Sequence, residues 1–244
     1  MCPEEAAVRS GIETGVNVAS YESRGQRCTS GSDMEGNTRG DAQERGMWWM
    51  DVRCATLCKY ASVGLMMGYA PGETVFDWGL GCGTAVGWLE RIFSVRTTGH
   101  ELVQSSARVA ENVTGATKVC WGDGSTLAHI PDASVDHVTS NAAVYHLRGA
   151  TQCSLVLDHL LRILRPGGTL WIGWQLVEDK NDLHGATPFR KEDWRQCMER
   201  AGNAIYFHMP DEAALFGDTE YGRSTSFSVM AVKKYTVGRD TPSP

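Results

Sequence analysis

Asp77, Gly79, Gly81 and Gly83 stand at alternate positions in FDWGLGCGTAVGWL, residues 76–89, where an apolar run ends in an acid and gives way to bare backbone. Such a turn lets the chain approach a ligand closely and aims backbone N–H groups at it. The spacing narrows the ligand. A dinucleotide turn reads Gly-x-Gly-x-x-Gly, but the places for its third glycine hold Thr84 or Val86, and no Gly-Lys-Ser/Thr follows to make a phosphate-cradling loop. Two further acids add complementary chemistry. Glu101 lies 22 residues beyond Gly79, at the predicted carboxyl end of the next strand, where a carboxylate can accept two hydroxyl hydrogens as charge-assisted bonds. A surface acid capping the following helix is the plainer alternative. Asp123, between Gly122 and Gly124, can accept an N–H from a base edge or serve as an ordinary Asp-Gly turn residue.

These residues need elements to hold them. From Thr74 onward short apolar runs alternate with amphipathic segments: strands at TVFDWG, TTGHEL, TKVCWGD, SVDHVTSN and TLWIGW, with helices over 84–93, 103–113 and 151–164. After a helix at 190–201, AIYFHM and SFSVMAVKK follow each other without a helical crossover and read as an antiparallel pair. The pattern predicts an α/β fold: a doubly wound, mostly parallel seven-stranded sheet, helices on both faces, closed by that antiparallel pair. Residues 1–46, rich in Gly, Ser, Thr, Glu and Arg, read as a mostly disordered arm, and residues 237–244 as a frayed tail. One domain is expected over 47–236, prefaced at 47–70 by a helical segment in which Trp48, Trp49, Val52, Leu57, Tyr60, Leu65 and Met66 recur at roughly helical spacing. The aromatic start of that preface suits either core or lid.

Composition sets outer bounds. No apolar run approaches the roughly 20 residues that cross a bilayer, and the opening residues are polar and acidic where a signal peptide is basic and then apolar. A soluble, cytoplasmic protein is expected. Net charge is −6, with no basic stripe, so nucleic acid is not an expected partner, and neither is a membrane. The eight cysteines show no CxxC and no paired zinc spacing. They read as reduced, buried thiols, with no metal site expected.

The run DWGLGCG, acid-x-Gly-x-Gly-x-Gly, resembles the first motif of the class I S-adenosylmethionine-dependent methyltransferases. GHELVQSSARVAEN resembles that family's second strand and its acidic end, CWGDGSTL the segment whose acid meets the adenine, and LRILRPGGTLWIGW the helix and turn before strand five. Together the likeness spans roughly residues 72–175. It implies S-adenosylmethionine as cofactor and S-adenosylhomocysteine as product, with Glu101 on both ribose hydroxyls, Asp123 on the adenine amino group, and Leu102, Gly122 and Gly124 beside them. It also places Asp77 near the methionine end, in binding rather than catalysis. The absence of Lys and Arg from the turn fits a cofactor without phosphate.

Beyond the cofactor, the segment SNAAVYHL follows the fourth strand. The resemblance makes Asn141 a cofactor neighbour and Tyr145 and His146 candidate acceptor contacts, with His146 as a candidate general base. A structural histidine at a helix start is the alternative. Trp174 and Gln175 form the next wall of the cleft, and Trp48 and Trp49 are candidates for a lid over it. Glu178, Asp179, Asp182 and His184 lie in a polar segment, 175–189, that reads as a solvated loop. The expected reaction is methyl transfer to O, N or S of a small molecule, with a protein or peptide acceptor and a cofactor-binding module without turnover as the alternatives. The sequence leaves oligomeric state open.

Overall fold

Thr74–Trp78 forms β1, whose alternation sends Val75 to one face of a sheet and Phe76 and Trp78 to the other. The computed structural model describes residues 54–81, 83–102, 106–108, 110–111, 118–122, 124, 127–141, 143–147, 149–176, 189–209 and 226–235. The residues expected to form an arm (1–46) and a tail (237–244) lie outside these, as do Trp48, Trp49, Asp123 and residues 177–188.

In chain order the elements are α1 (Cys54–Met67), β1, α2 (Thr84–Phe93), β2 (Arg96–Glu101), β3 (Lys118–Trp121), β4 (Val135–Asn141), α3 (Gly149–Ser154), β5 (Leu164–Leu176), α4 (Lys191–Ala201), β6 (Ala204–Met209) and β7 (Ser226–Lys233). A 3₁₀ turn, Val144–His146, precedes α3, which runs on through a π-helical segment, Leu155–Leu160, and a last turn, Leu161–Ile163. The seven strands pair in the order β3-β2-β1-β4-β5-β7-β6. β1 to β5 are mutually parallel and β7 runs antiparallel to both neighbours, as the missing helical crossover predicted.

Two apolar layers sandwich the sheet. On one face Tyr60, Val63 and Met67 of α1 and Leu89 of α2 pack on Val75, Trp171 and Met230. On the other, Leu155, Leu160 and Leu161 of the α3 region and Trp194, Cys197 and Met198 of α4 pack on Phe76, Val138, Leu170 and Ile172. In α1, Val63 and Met67 are buried while Leu65 and Met66 are exposed, and the helix stops at Gly68 with φ 72°. β5 begins at Leu164 rather than Thr169, because Leu164 already pairs with Val135 before an irregularity that absorbs Pro166, Gly167 and Gly168. Lys233 Nζ of β7 donates to the carbonyls of Leu161 and Leu164, satisfying acceptors left open where the helix ends.

The expectation of reduced thiols is overturned. Cys153 of α3 and Cys197 of α4 form a disulfide, and Cys120 of β3 is also disulfide-bonded. The two helices lie side by side on one face of the sheet, which brings together cysteines 44 residues apart in sequence.

At the amino-terminal edge of the sheet, Glu73 Oε2 meets His137 Nε2 at 2.7 Å, and His137 Nδ1 meets Thr169 Oγ1 at 2.7 Å. Arg165 bridges Glu73 and Asp136. Burial works against both carboxylates, yet hydrogen bonds from His137 and the Ala70 N–H to Glu73, and from Thr74 to Asp136, together with the Arg165 charge, hold both pKa values below the ordinary range. A carboxylate lowered on folding stabilises the protein above its unfolded pKa, about 4, and that contribution is lost as pH falls through the folded value. Glu73→Gln is therefore expected to cost about 1 kcal/mol at pH 7, discounted for its partial exposure, and to flatten the loss of stability between pH 5 and 3. Urea titrations across that range test it; parallel pH profiles for the two proteins would refute it.

Candidate active site

β1 lies between β2 and β4, and the chain leaves it for α2 at the point where strand order reverses, so the glycine turn opens into the crevice outside the carboxyl ends of the strands. Gly79 has φ 76°, and a β-carbon there would lie 2.5 Å from the Ala143 Cβ. Only glycine combines that backbone with that approach. Gly83, φ 77°, caps the start of α2. The N–H groups of Gly79 and Leu80 donate to the His100 carbonyl, tying the turn to β2.

Glu101 ends β2, with 8% of its surface exposed, and its Oε2 accepts the Gly81 N–H at 2.7 Å. The acid and the bare turn are thus held against each other. Gly122 N–H donates to the Glu101 carbonyl, which sets the start of the Gly122–Gly124 segment beside Leu102, and the Gly124 carbonyl accepts Trp78 Nε1–H at 3.0 Å. Asp77 is 1% exposed, facing the α1 layer of the sheet with Val75. Burial, with the Glu101 charge adding to it, pushes its pKa up to about 8.

Among the described residues, Asp77 Oδ1, Asn141 Oδ1, Thr139 Oγ1 and Tyr69 Oη are buried without a partner at full hydrogen-bond distance, the Thr139 hydroxyl lying close enough to Asp77 only to offset part of its raised pKa. Asp77 pairs in register with Thr139 on β4, and Asn141 ends the same strand, so three of these atoms belong to one pair of neighbouring strands running to the crevice. Buried polar atoms normally find partners. This concentration, beside a turn a β-carbon would fill, fits a small polar ligand bearing an ammonium group and hydroxyls, which is what S-adenosylmethionine offers.

Tyr145 and His146 follow in the 3₁₀ turn, Tyr145 9% exposed and its ring 4.3 Å from that of His146. Trp174 and Gln175 lie in β5 past Gly173, which pairs with Asn141, so their backbone reaches the same end of the sheet; their side chains are outside the described set. The structure thus places Asp77, Gly79, Gly81, Gly83, Glu101, Leu102, Gly122, Gly124 and Asn141 at or just beyond the carboxyl ends of β1, β2, β3 and β4. Thr139 and Tyr69, which no motif marks, belong to this set of buried polar atoms.

Known proteins share this fold. Residues 76–172 match the family model described as a methyltransferase domain. An uncharacterized 37.1 kDa protein in transposon TN4556 of Streptomyces fradiae is 35% identical over 109 residues, 42% of this chain. The chain spans 30% of the length of that relative. Among solved structures, phosphoethanolamine N-methyltransferase 1 of Haemonchus contortus, in complex with phosphoethanolamine and S-adenosylhomocysteine, superposes with a TM-score of 0.64 at 13% identity over 93% of this chain and 50% of that one. A SAM-dependent methyltransferase from Aquifex aeolicus gives 0.57 at 19% identity over 75% of this chain and 94% of that one. The matched segment, the strand order and the glycine turn make residues 76–172 similar to the class I, Rossmann-like, S-adenosylmethionine-dependent methyltransferases.

Proposed function

We propose that this protein transfers a methyl group from S-adenosylmethionine to an oxygen, nitrogen or sulfur of a small-molecule acceptor. The observation that carries the reading is the buried Glu101 carboxylate fixed against the Gly81 N–H at the switch point, an arrangement suited to a ligand with vicinal hydroxyls. A small acceptor is supported by the Haemonchus enzyme, which is in complex with phosphoethanolamine.

The bound cofactor supplies a methyl group already activated on a sulfonium. What the chain contributes is alignment and exclusion of water. In this reading Glu101 accepts the ribose hydroxyls, Asp123 accepts from the adenine amino group, and Leu102, Gly122 and Gly124 border the ring. Gly79, Gly81 and Gly83 would leave room for the amino-acid moiety, and Asp77 and Asn141 would hold its ammonium. His146 would take the acceptor's proton where there is one to remove, Tyr145 would orient the acceptor, and Trp174, Gln175, Trp48 and Trp49 are assigned to binding the acceptor. The protein works in the cytoplasm; among the described residues no helix is long and apolar enough to cross a membrane.

The raised pKa of Asp77 gives this assignment a pH signature. Below about pH 8 the carboxyl is largely protonated, so binding an ammonium must first expel a proton. Affinity for S-adenosylmethionine is expected to rise about tenfold per unit between pH 6 and 7.5 and to level off near 8, and Asp77→Asn should abolish the slope. Calorimetric titration with S-adenosylmethionine, S-adenosylhomocysteine and NAD across that range tests the cofactor, and S-adenosylhomocysteine formation in a screen of small acceptors tests transfer. Binding without turnover on any small acceptor, but with turnover on a basic peptide, would replace the acceptor class. Binding of NAD alone would overturn the reading.

A further inference from the structure

His100 sits on β2 one residue before Glu101, and its register partner on β3 is Cys120, so the two side chains are neighbours on the same face of the sheet. That face is opposite to the one bearing Asp77, since the His100 ring approaches Phe76, with centroids 6.2 Å apart. His129, in the turn between β3 and β4, brings its Nε2 to 3.1 Å from the His100 Nε2. The Cys120 sulfur completes a triangle in which every ligand atom lies within 4.8 Å of the others. The turn carrying His129 is itself fixed: Arg162 donates to the carbonyls of Leu127 and Ile130 at 2.7 and 2.9 Å and pairs with Asp132.

We propose that His100, His129 and Cys120 form a site for a zinc-class divalent cation, available when Cys120 is reduced. The donor set, two imidazole nitrogens and a thiolate, is the one zinc prefers. With Zn–N near 2.1 Å and Zn–S near 2.3 Å, a tetrahedral ion holds its ligand atoms about 3.3–3.7 Å apart, so the present triangle needs only small adjustments. Two imidazoles meeting nitrogen to nitrogen can share one proton, but that pairing does not call for a sulfur as third neighbour. His100 and Cys120 are buried and His129 is only partly so, which leaves the His129 side as the route of entry and the place for a fourth ligand.

In the disulfide form the Cys120 sulfur offers no thiolate. A dithiol reductant of the thioredoxin class supplies two electrons and two protons: the S–S bond breaks, two thiols form, and the reductant leaves as its own disulfide. The cation then displaces the proton of the Cys120 thiol. Occupancy clamps β2, β3 and the 127–130 turn together next to Glu101 and Gly122, so oxidation and metal loss would slacken the wall of the cofactor crevice. The proposal stands apart from the choice of acceptor and needs no turnover to test it.

The test is titration of the purified full chain with Co2+ and Zn2+, with and without a phosphine reductant. Reduced protein is expected to bind one Co2+ per chain with a thiolate-to-cobalt charge-transfer band and a tetrahedral ligand-field spectrum, and to gain thermal stability from Zn2+. Oxidised protein should show no such band. His129→Ala should weaken binding at least tenfold and Cys120→Ser should remove the charge-transfer band. The double variant Cys153→Ala/Cys197→Ala, whose cysteines lie between the helices on the sheet face, should keep both. Absence of stoichiometric binding by the reduced wild-type chain overturns the proposal, as does a spectrum unchanged in His129→Ala and Cys120→Ser. If either single variant is unfolded by circular dichroism, the wild-type titration still decides.

Discussion

Glu101→Ala is expected to weaken S-adenosylmethionine binding by about 1.5–3 kcal/mol, which is roughly tenfold to 150-fold in Kd, while leaving the thermal transition within a few degrees. The effect has two sources. The carboxylate is the group assigned to the ribose hydroxyls, and its Oε2 also accepts the Gly81 N–H, so its removal frees the turn that admits the rest of the cofactor. Glu101→Gln separates the two. An amide oxygen can still accept from Gly81 but carries no charge for the hydroxyls, so this variant should fall between wild type and Ala. Calorimetry on the three proteins decides: full affinity in a folded Glu101→Ala would remove the ribose assignment, and equal losses for Gln and Ala would show that the charge alone matters.

Loss of the Cys153–Cys197 bridge is the largest stability effect expected. Cross-linking residues 44 apart removes unfolded-chain entropy worth about 4 kcal/mol, of which native proteins commonly realise 2–4. For a domain of this size that corresponds to a fall of roughly 5–15 °C in Tm. Since Cys120 is also oxidised, reductant alone is not diagnostic; the comparison is between wild type and Cys197→Ser in oxidising buffer. The Arg200 guanidinium donates to Cys153 Sγ at 2.8 Å and would stabilise a thiolate there, which makes Cys153 the better leaving group when a reductant attacks. Equal Tm values, with both thiols alkylated in the unreduced wild type, would show the cysteines to be a thiol pair.

Much of this architecture was legible in the residues because it is local. The helix over 84–93 follows from apolar spacing behind Gly83, and the antiparallel end from two strands without a crossover. Asp77 and Glu101 stand out because each falls within a residue of the carboxyl end of a strand at a fixed distance from the glycines. Leu65 and Met66 share that helical spacing yet lie exposed, because spacing says that one face is buried, not which rotation the sheet will choose. The disulfide was invisible because α3 and α4 become neighbours only by lying on the same sheet face. Likewise His100, Cys120 and His129 have no metal-like spacing in sequence; the β2–β3 register and the arginine-held turn bring them together. Thr139 and Tyr69 were passed over since a buried hydroxyl looks, in sequence, like any other core position.

The place of β7 also shapes how the chain must be made. β5, carrying Trp171 and Ile172 at the centre of both apolar layers, has β4 on one side and, on the other, a strand that begins only at Ser226. While the ribosome is still adding the intervening residues, β1 to β5 can assemble but the far edge of β5 stays open, and β6 has nothing to pair with. Such an edge is a template for another chain. Synthesis that stalls before β7 emerges should therefore yield a species prone to aggregation or chaperone capture, and the closing step should be slow for its loop length and complete only after Lys233 has clear access to the helix end.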